Sequence, residues 1–481
     1  MNVKAVLNTL GKMTVAEAAL LLLPLGVSLG YAEFHAASAF AVTVMLAAAI
    51  GGILICFTRR HSNVIFARDG FMIVAWVWIL ISLIGALPFR ISGAIPSYVD
   101  AFFETVSGFT TTGASILSDI ESMPKGMLFW RSFTHFIGGM GFLVFVMAII
   151  PNITDRSIHI LKAEVPGPVV GKLVPRIKDT AKILYLIYIA ITLLEIVMLI
   201  CGGMPVFDSV VHSFGSAGTG GFSSKNTSIA GYSPYCQWVI GVFMLLFGVN
   251  FNIYYLLFIK KFKDALKSTE LWCYISIMLA GTAVITYNNI AVFGGFSESL
   301  RHSFFQASSI MTTTGYSTAN FDTWAGLSKS ILFILMFIGA CAGSTGGGLK
   351  VSRVIILFKT VSREIRRLLN PRSVKVVHFE GKKADESTVS GVSQYFAIYI
   401  ICFVTAFLLI SFEPFGLESN ISATAACYNN IGPGFGAVGP AMNYAGYTAF
   451  SKIVLAFSML LGRLEIFPII IAFSPSLIKN K

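Results

Sequence analysis

Long apolar runs broken by short polar stretches extend from one end of the chain to the other. Residues 14–32 and 37–57 form an apolar pair joined by a turn that carries Glu33 and His35. A basic link from Arg59 to Arg68 follows. The runs then settle into a recurring order: a long run, a shorter one, a glycine-containing turn, a second long run. The long runs fall at 71–87 and 126–150, 181–201 and 237–259, 271–292 and 327–341, and 393–411 and 449–473. The short ones fall at 98–109, 206–216, 297–311 and 419–430. A helix needs about 20 apolar residues to cross a bilayer, and a dozen is too few. The runs are continuous rather than alternating, which argues for helices and against an outer-membrane barrel. The pattern predicts an all-α polytopic membrane protein. Four M1-P-M2 repeats, each two membrane helices flanking a short pore helix and its loop, would surround a central pseudo-fourfold pore. An N-terminal two-helix hairpin precedes them. The divisions this implies are 1–66 for the hairpin, 67–151 for repeat one, 152–260 for a cytoplasmic loop with repeat two, 261–370 for repeat three with a broken second helix, and 371–481 for repeat four.

The turns carry the candidate chemistry. Thr110-Thr111-Thr112-Gly113 and Thr312-Thr313-Thr314-Gly315 are near copies of each other. Gly218-Thr219-Gly220, followed by Gly221, and Ile431-Gly432-Pro433-Gly434 are weaker ones. An alkali cation holds its water strongly, and a pore must replace that shell with oxygens. Backbone carbonyls do this where glycine permits conformations that a side chain forbids. Threonine adds a hydroxyl and favours extended backbone. Each short helix aims its partially negative C-terminal end at the cavity. Repeat four has Pro433 where the others have threonine, so the arrangement is expected to lack one hydroxyl and to be only roughly fourfold. Simple chain reversal would account for the glycines but not for the short helices before them.

Composition and charge narrow the class. Of 481 residues, 55% are hydrophobic and 12% charged, about half the charged share of an ordinary soluble domain. The net charge of +12 does not indicate nucleic-acid binding, because it sits on no soluble module. It gives topology instead. Of 35 Lys and Arg, all but Arg90, Lys125, Arg131, Lys225, Arg301, Lys329, Lys452 and Arg463 fall in the N-terminus, 59–68, 156–182, 260–267, 350–383 and the C-terminus. The positive-inside rule places those segments, and both termini, in the cytoplasm. All four turns then approach from outside. No cleavable signal pattern follows the first apolar run. The seven Cys are scattered singly and read as small core residues.

Several polar or glycine-rich features lie at membrane depth. The run ending near Gly339 breaks at Gly343-Ser344-Thr345-Gly346-Gly347-Gly348, resumes at 351–360 and becomes basic from Arg363 to Arg372. Consecutive glycines do not hold a helix, and irregular backbone at this depth must be buried in protein or line water. Arg463 falls mid-span, where a charge must be hydrated or paired. It faces a wet vestibule, pairs with nearby Glu465, or does both, since the two readings are compatible. Glu195 is an intramembrane acid and a functional candidate on that ground. Gly138-Gly139-Met140-Gly141 reads as tight helix packing. The Pro-rich loop 151–180 is long enough to meet a partner. The stretch from Gly343 to Lys350 superficially resembles a phosphate loop, but Leu349 and Val351 stand where Lys and Ser or Thr are needed. No dinucleotide fold is evident, so no organic cofactor is expected.

The four turn segments together resemble the Trk/Ktr/HKT superfamily of potassium transporters, and with the N-terminal hairpin they are most similar to its bacterial TrkH/TrkG branch. The resemblance covers nearly the whole chain. It implies a potassium-selective, non-enzymatic uptake subunit of the bacterial cytoplasmic (inner) membrane, with K+ held at the four turns and filter glycines at Gly113, Gly220, Gly315 and Gly434. Glycine rather than serine at position 113 implies preference for potassium over sodium. The resemblance further implies a homodimer and a cytosolic RCK-type nucleotide-binding regulator. It makes Gly343–Gly348 an intramembrane gate and Arg463 its basic counterpart. Two other classes remain. A symporter coupled to H+ or Na+ would use a titratable group such as Glu195. A membrane-embedded subunit of a larger enzyme would conduct nothing.

Overall fold

The computed structural model describes residues 2–58, 67–141, 177–372 and 375–474. The described chain is mostly helical; its strands are the two-residue pair His378–Phe379 and Lys382–Lys383. Most of the Arg59–Arg68 link, the expected end of the second run at residue 150 and most of the 151–180 loop lie outside the described residues.

The N-terminal hairpin is Val3–Leu20 and Leu22–Gly30 packed on Phe34–Phe57. It starts at Val3 rather than at the expected residue 14, and the polar Asn8 is buried in the added turns. Glu33, in the turn, accepts hydrogen bonds from the backbone N–H groups of Lys125 (2.6 Å) and Gly126 (3.0 Å). A carboxylate at a helix N-terminus satisfies orphan donors and the dipole, so the hairpin is fastened to repeat one.

The four repeats follow in order. Their first helices are Ala67–Gly85, Ile177–Cys201, Thr269–Phe293 and Glu386–Ile410. Their short helices are Tyr98–Phe109, Val206–Gly218, Phe296–Met311 and Leu417–Tyr428. Their second helices begin at Lys125, Pro234, Gly326 and Ala449.

Among the described residues, breaks in the second helices are not confined to that of repeat three. The first ends at Gly139. The second bends by 91° between Phe247 and Phe251. The third stops at Phe337 and resumes at Val351. The fourth stops at Arg463 and resumes at Phe467, with Glu465 and Ile466 at φ 54° and 68°. Consequently six helices among the described residues are long and apolar enough to cross a membrane, and the bent pair makes a seventh. Phe57, Phe258 and Tyr287 are more than 80% exposed, as expected for side chains that face lipid. Of the cysteines, Cys236, Cys341 and Cys427 are buried, whereas Cys56 and Cys201 are exposed, so the expectation of core cysteines holds only for some.

Candidate functional site

The four short helices end in one hydrogen-bond pattern. Thr111 N–H bonds the Gly108 carbonyl (3.0 Å) and Thr112 N–H the Ser107 carbonyl (2.8 Å). The same three-back and five-back pair recurs at Thr219 and Gly220, at Thr313 and Thr314, and at Asn430 and Ile431. This is a Schellman-type helix end, which requires a left-handed residue after the helix. Thr111, Thr219, Thr313 and Asn430 fill that position at φ 55°, 53°, 60° and 57°. Two residues later stands a glycine with positive φ: Gly113 (77°), Gly221 (78°), Gly315 (86°) and Gly432 (97°).

This register corrects the sequence alignment at two places. Gly221, not Gly220, is the counterpart of Gly113 and Gly315, and Gly432, not Gly434, completes the set. Pro433 is therefore not the counterpart of a threonine. Ile431 stands opposite Thr112 and Thr314, and Asn430 opposite Thr111 and Thr313.

The four glycines close a ring. A Cβ on Gly113 would overlap the carbonyl oxygen of Gly220. One on Gly221 would overlap that of Thr314, and one on Gly315 that of Ile431. One on Gly432 would lie 2.7 Å from that of Thr112. Each glycine thus abuts the carbonyl just before the next repeat's glycine, in the order one, two, three, four, one. Side chains at these positions are excluded by both conformation and space. All four glycines line one cavity of about 150 Å³, together with Ser115 and Pro433.

The ring is braced from behind. Thr110 and Thr112 hydroxyls lie 2.8 Å apart, as do those of Thr312 and Thr314. Asn430 supplies its amide where others have a hydroxyl, donating to Thr112 Oγ1 (3.0 Å) and the Met459 carbonyl (2.9 Å). Thr219 Oγ1 donates to the Gly218 carbonyl (2.6 Å). Tyr316 donates to the carbonyls of His212 (3.0 Å) and Phe222 (3.2 Å) in repeat two. Tyr444 donates to the Gly432 carbonyl (2.7 Å). Arg131 and Glu104 form a buried ion pair, and the guanidinium lies 4.0 Å from the Phe222 ring centre. At the mouth, a hydrogen bond from Asn226 holds the Asp119 carboxyl below its ordinary range, and one from Lys225 does the same for Glu121. Both are charged there at neutral pH and favour cations.

Beneath the ring the helix breaks converge. Gly347 N–H donates to Thr313 Oγ1 (2.7 Å), and a Cβ on Gly346 would lie 3.0 Å from the Thr312 carbonyl oxygen. The Gly343–Gly348 segment therefore runs under the turns of repeats three and four. Its backbone is pinned to the bend of repeat two, where Phe251 N–H bonds the Gly343 carbonyl and Cys341 N–H the Gly248 carbonyl. Lys350, buried, donates back to the Gly346 carbonyl.

Arg463 reaches the same place from repeat four. It donates to the carbonyls of Thr345 (2.8 Å), Gly139 (2.6 Å) and Gly138, and to Thr111 Oγ1 (3.2 Å). The alternative pairing with Glu465 is not formed. Glu465 bonds Arg353 instead (Nη1 to Oε1 3.2 Å). Side chains two apart do not face one another, and the helix ends between them.

The Gly138–Gly141 stretch does pack tightly: a Cβ on Gly139 would lie 2.6 Å from Gly218 Cα. It also offers carbonyls to Arg463, a role that sequence reasoning missed. Glu195 is not part of this cluster. It is fully buried in the first helix of repeat two, beside Ser216 of the short helix.

The described geometry has recognisable relatives. Residues 36–480 match the family described as TrkH, cation transport protein. The chain is 35% identical to the Trk system potassium uptake protein TrkH of Salmonella typhimurium and 34% identical to that of Escherichia coli K12, over 99% of each chain. It superposes on the crystal structure of the potassium transporter TrkH from Vibrio parahaemolyticus with a TM-score of 0.90, 32% identity and complete coverage of both chains. A closed ring of four glycine turns, a hairpin-plus-four-repeat fold and full-length similarity agree: the chain belongs to the TrkH family of cation transport proteins and is a membrane transport protein, not an enzyme.

Proposed function

We propose that this chain mediates potassium uptake across the bacterial cytoplasmic membrane, with the four glycine turns as its selectivity filter and K+ as the transported ion. The observation that carries this reading is the ring itself. Four repeats bring glycine to one level, and each glycine admits the carbonyl of the next repeat. Such a ring can replace a cation's hydration shell with backbone oxygens and no fixed charge. The residues assigned to it are Thr110–Gly113, Gly218–Gly221, Thr312–Gly315 and Asn430–Gly432. Gly434 and Pro433 lie just outside.

Gly343–Gly348 and Arg463 are the gate of this reading. A guanidinium beneath the ring places a fixed positive charge on the axis where the cation would leave. Its partners include the carbonyls of Thr345, Gly138 and Gly139 and the Thr111 hydroxyl. The relatives are named as parts of a Trk system, which supports work within a multi-component system; the homodimer and the cytosolic nucleotide-binding regulator are what the family resemblance implies. The distribution of basic residues supports cytoplasmic termini by the positive-inside rule.

A coupled symporter is the second reading, favoured by one observation: Glu195 is a fully buried acid with no ion-pair partner among the described residues. Flux of potassium, rubidium and sodium into liposomes that hold the purified chain tests both. Passive flux that favours potassium and rubidium, independent of pH and sodium gradients, supports the pore. Flux that requires a gradient, and loses that requirement in Glu195→Gln, supports the symporter.

A further inference from the structure

A single carboxylate oxygen holds both ends of the glycine-rich loop. Glu270 lies in the first turn of Thr269–Phe293 and is 5% exposed. Its Oε1 accepts from the backbone N–H of Ala342 (2.8 Å) and of Ser352 (3.0 Å). Ala342 is the last residue before Gly343. Ser352 is the second residue of the resumed helix, Val351–Leu369. The entry and the exit of the loop are therefore tied to one atom on another helix.

Glu270 is held in turn. Glu380 sits in the turn of the small hairpin His378–Phe379/Lys382–Lys383, on the side of the molecule away from the mouth. Its Oε1 accepts from Glu270 N–H (2.9 Å) and Ser268 Oγ (3.1 Å), and its Oε2 from Thr269 N–H (3.2 Å). The turn is built for this, with Glu380 at φ 50° and Gly381 at 71°. A carboxylate at the N-terminus of Thr269–Phe293 meets orphan N–H groups and the positive end of the dipole. Lys359, on the helix that leaves the loop, donates to the His378 carbonyl (2.8 Å) and ties the hairpin to that helix as well. Glu380 is exposed, whereas Glu270 and the loop are buried.

We propose that Glu380 and Glu270 form a latch that sets the position of the loop. The hairpin holds the helix start, and the helix start holds both ends of the loop against the ring. Both are positioning residues. The proposal rests on the reading of Gly343–Gly348 as a gate, and it makes the exposed hairpin the accessible end of the linkage to that gate. Pulling Glu380 away frees three donors at the helix start. Glu270 then shifts, and the two loop ends lose their shared acceptor.

Three native cysteines give a test that does not depend on transport. Cys341 lies one residue before Ala342 and is fully buried. Cys236 and Cys427 are as well buried, in repeats two and four. The purified full-length chain in lipid bilayers is treated with N-ethylmaleimide, and each cysteine is followed by mass spectrometry. Glu380→Ala and Glu270→Ala are expected to speed alkylation of Cys341 about tenfold, since charge-assisted hydrogen bonds at its anchor are lost, while Cys236 and Cys427 stay protected. Glu270→Gln keeps one carbonyl acceptor and is expected to fall between. Cys341 as protected in both alanine variants as in the unaltered chain would overturn the latch. Equal exposure of all three cysteines in both variants would also overturn it, marking the two acids as general structural props. Cys341 freed with no rise in potassium flux would uphold the latch and contradict the reading of the loop as a gate.

Discussion

The guanidinium of Arg463 donates to the carbonyl oxygen of Thr345 at 2.8 Å, which joins the last long helix of repeat four to the middle of the glycine-rich loop. The same side chain holds the Gly138 and Gly139 carbonyls and the Thr111 hydroxyl. One residue therefore closes a plate across repeats one, three and four directly under the ring.

Arg463→Ala should raise basal potassium flux by about tenfold, because hydrogen bonds from a charged group are worth about 1.5–3 kcal/mol and the local positive charge is lost as well. Arg463→Lys should also raise it, since an ammonium cannot reproduce the planar fork that spans these acceptors. Liposome flux at equal protein loading measures this. Flux unchanged in both variants would show that Arg463 does not restrict passage.

Removing Gly346–Gly348 should likewise raise basal flux, because the contacts under Thr312 and Thr313 disappear with it. Discrimination between potassium and sodium should be kept, since the ring is not touched. A shortened chain that folds, shown by an unshifted Tm, and still passes no more potassium would count against a gating role.

The ring register makes a sharper distinction. Gly432→Ala forces a side chain into φ 97° and to within 2.7 Å of the Thr112 carbonyl oxygen. A left-handed conformation alone costs a non-glycine residue about 1–2 kcal/mol, so potassium-over-sodium discrimination should fall by about tenfold or more. Gly434→Ala has no positive φ and meets the Ser422 hydroxyl and a Val438 methyl, each at 2.9 Å, so its effect should be smaller. Comparing the two by flux ratios tests the placement directly. A larger loss at Gly434 would restore the sequence-based alignment.

Much of the architecture was legible. The short helix Tyr98–Phe109 falls where hydropathy puts it, and the glycine run marks the break in repeat three. The breaks of repeats two and four were not legible. Gly248, Asn250, Glu465 and Ile466 form no run, and a bend after an apolar stretch leaves no compositional trace. The glycine register was ambiguous for a similar reason: Thr219-Gly220-Gly221 fits two alignments, and only the Schellman bonds from Thr219 and Gly220 decide between them. The partner of Glu465 is Arg353, more than a hundred residues away, and no local pattern carries that.

Glu104→Gln should destabilise the protein by about 3–5 kcal/mol, because it leaves the Arg131 charge buried without its partner. Arg131 and Glu104 side chains are 1% and 0% exposed. A lowered Tm in lipid nanodiscs would show this. Glu104→Leu combined with Arg131→Met should recover most of the loss. A double variant no more stable than Glu104→Gln would mean that the pair contributes more than mutual neutralisation.

The central claim is that the ring at Gly113, Gly221, Gly315 and Gly432 selects the ion. It is tested most directly by the potassium-to-sodium flux ratio of purified Gly113→Ser in liposomes, set beside the unaltered chain. The ring predicts a strong preference for potassium in the unaltered chain and a clear loss of it in the variant, because a side chain at φ 77° must displace the Gly220 carbonyl. An unchanged ratio in Gly113→Ser would contradict it.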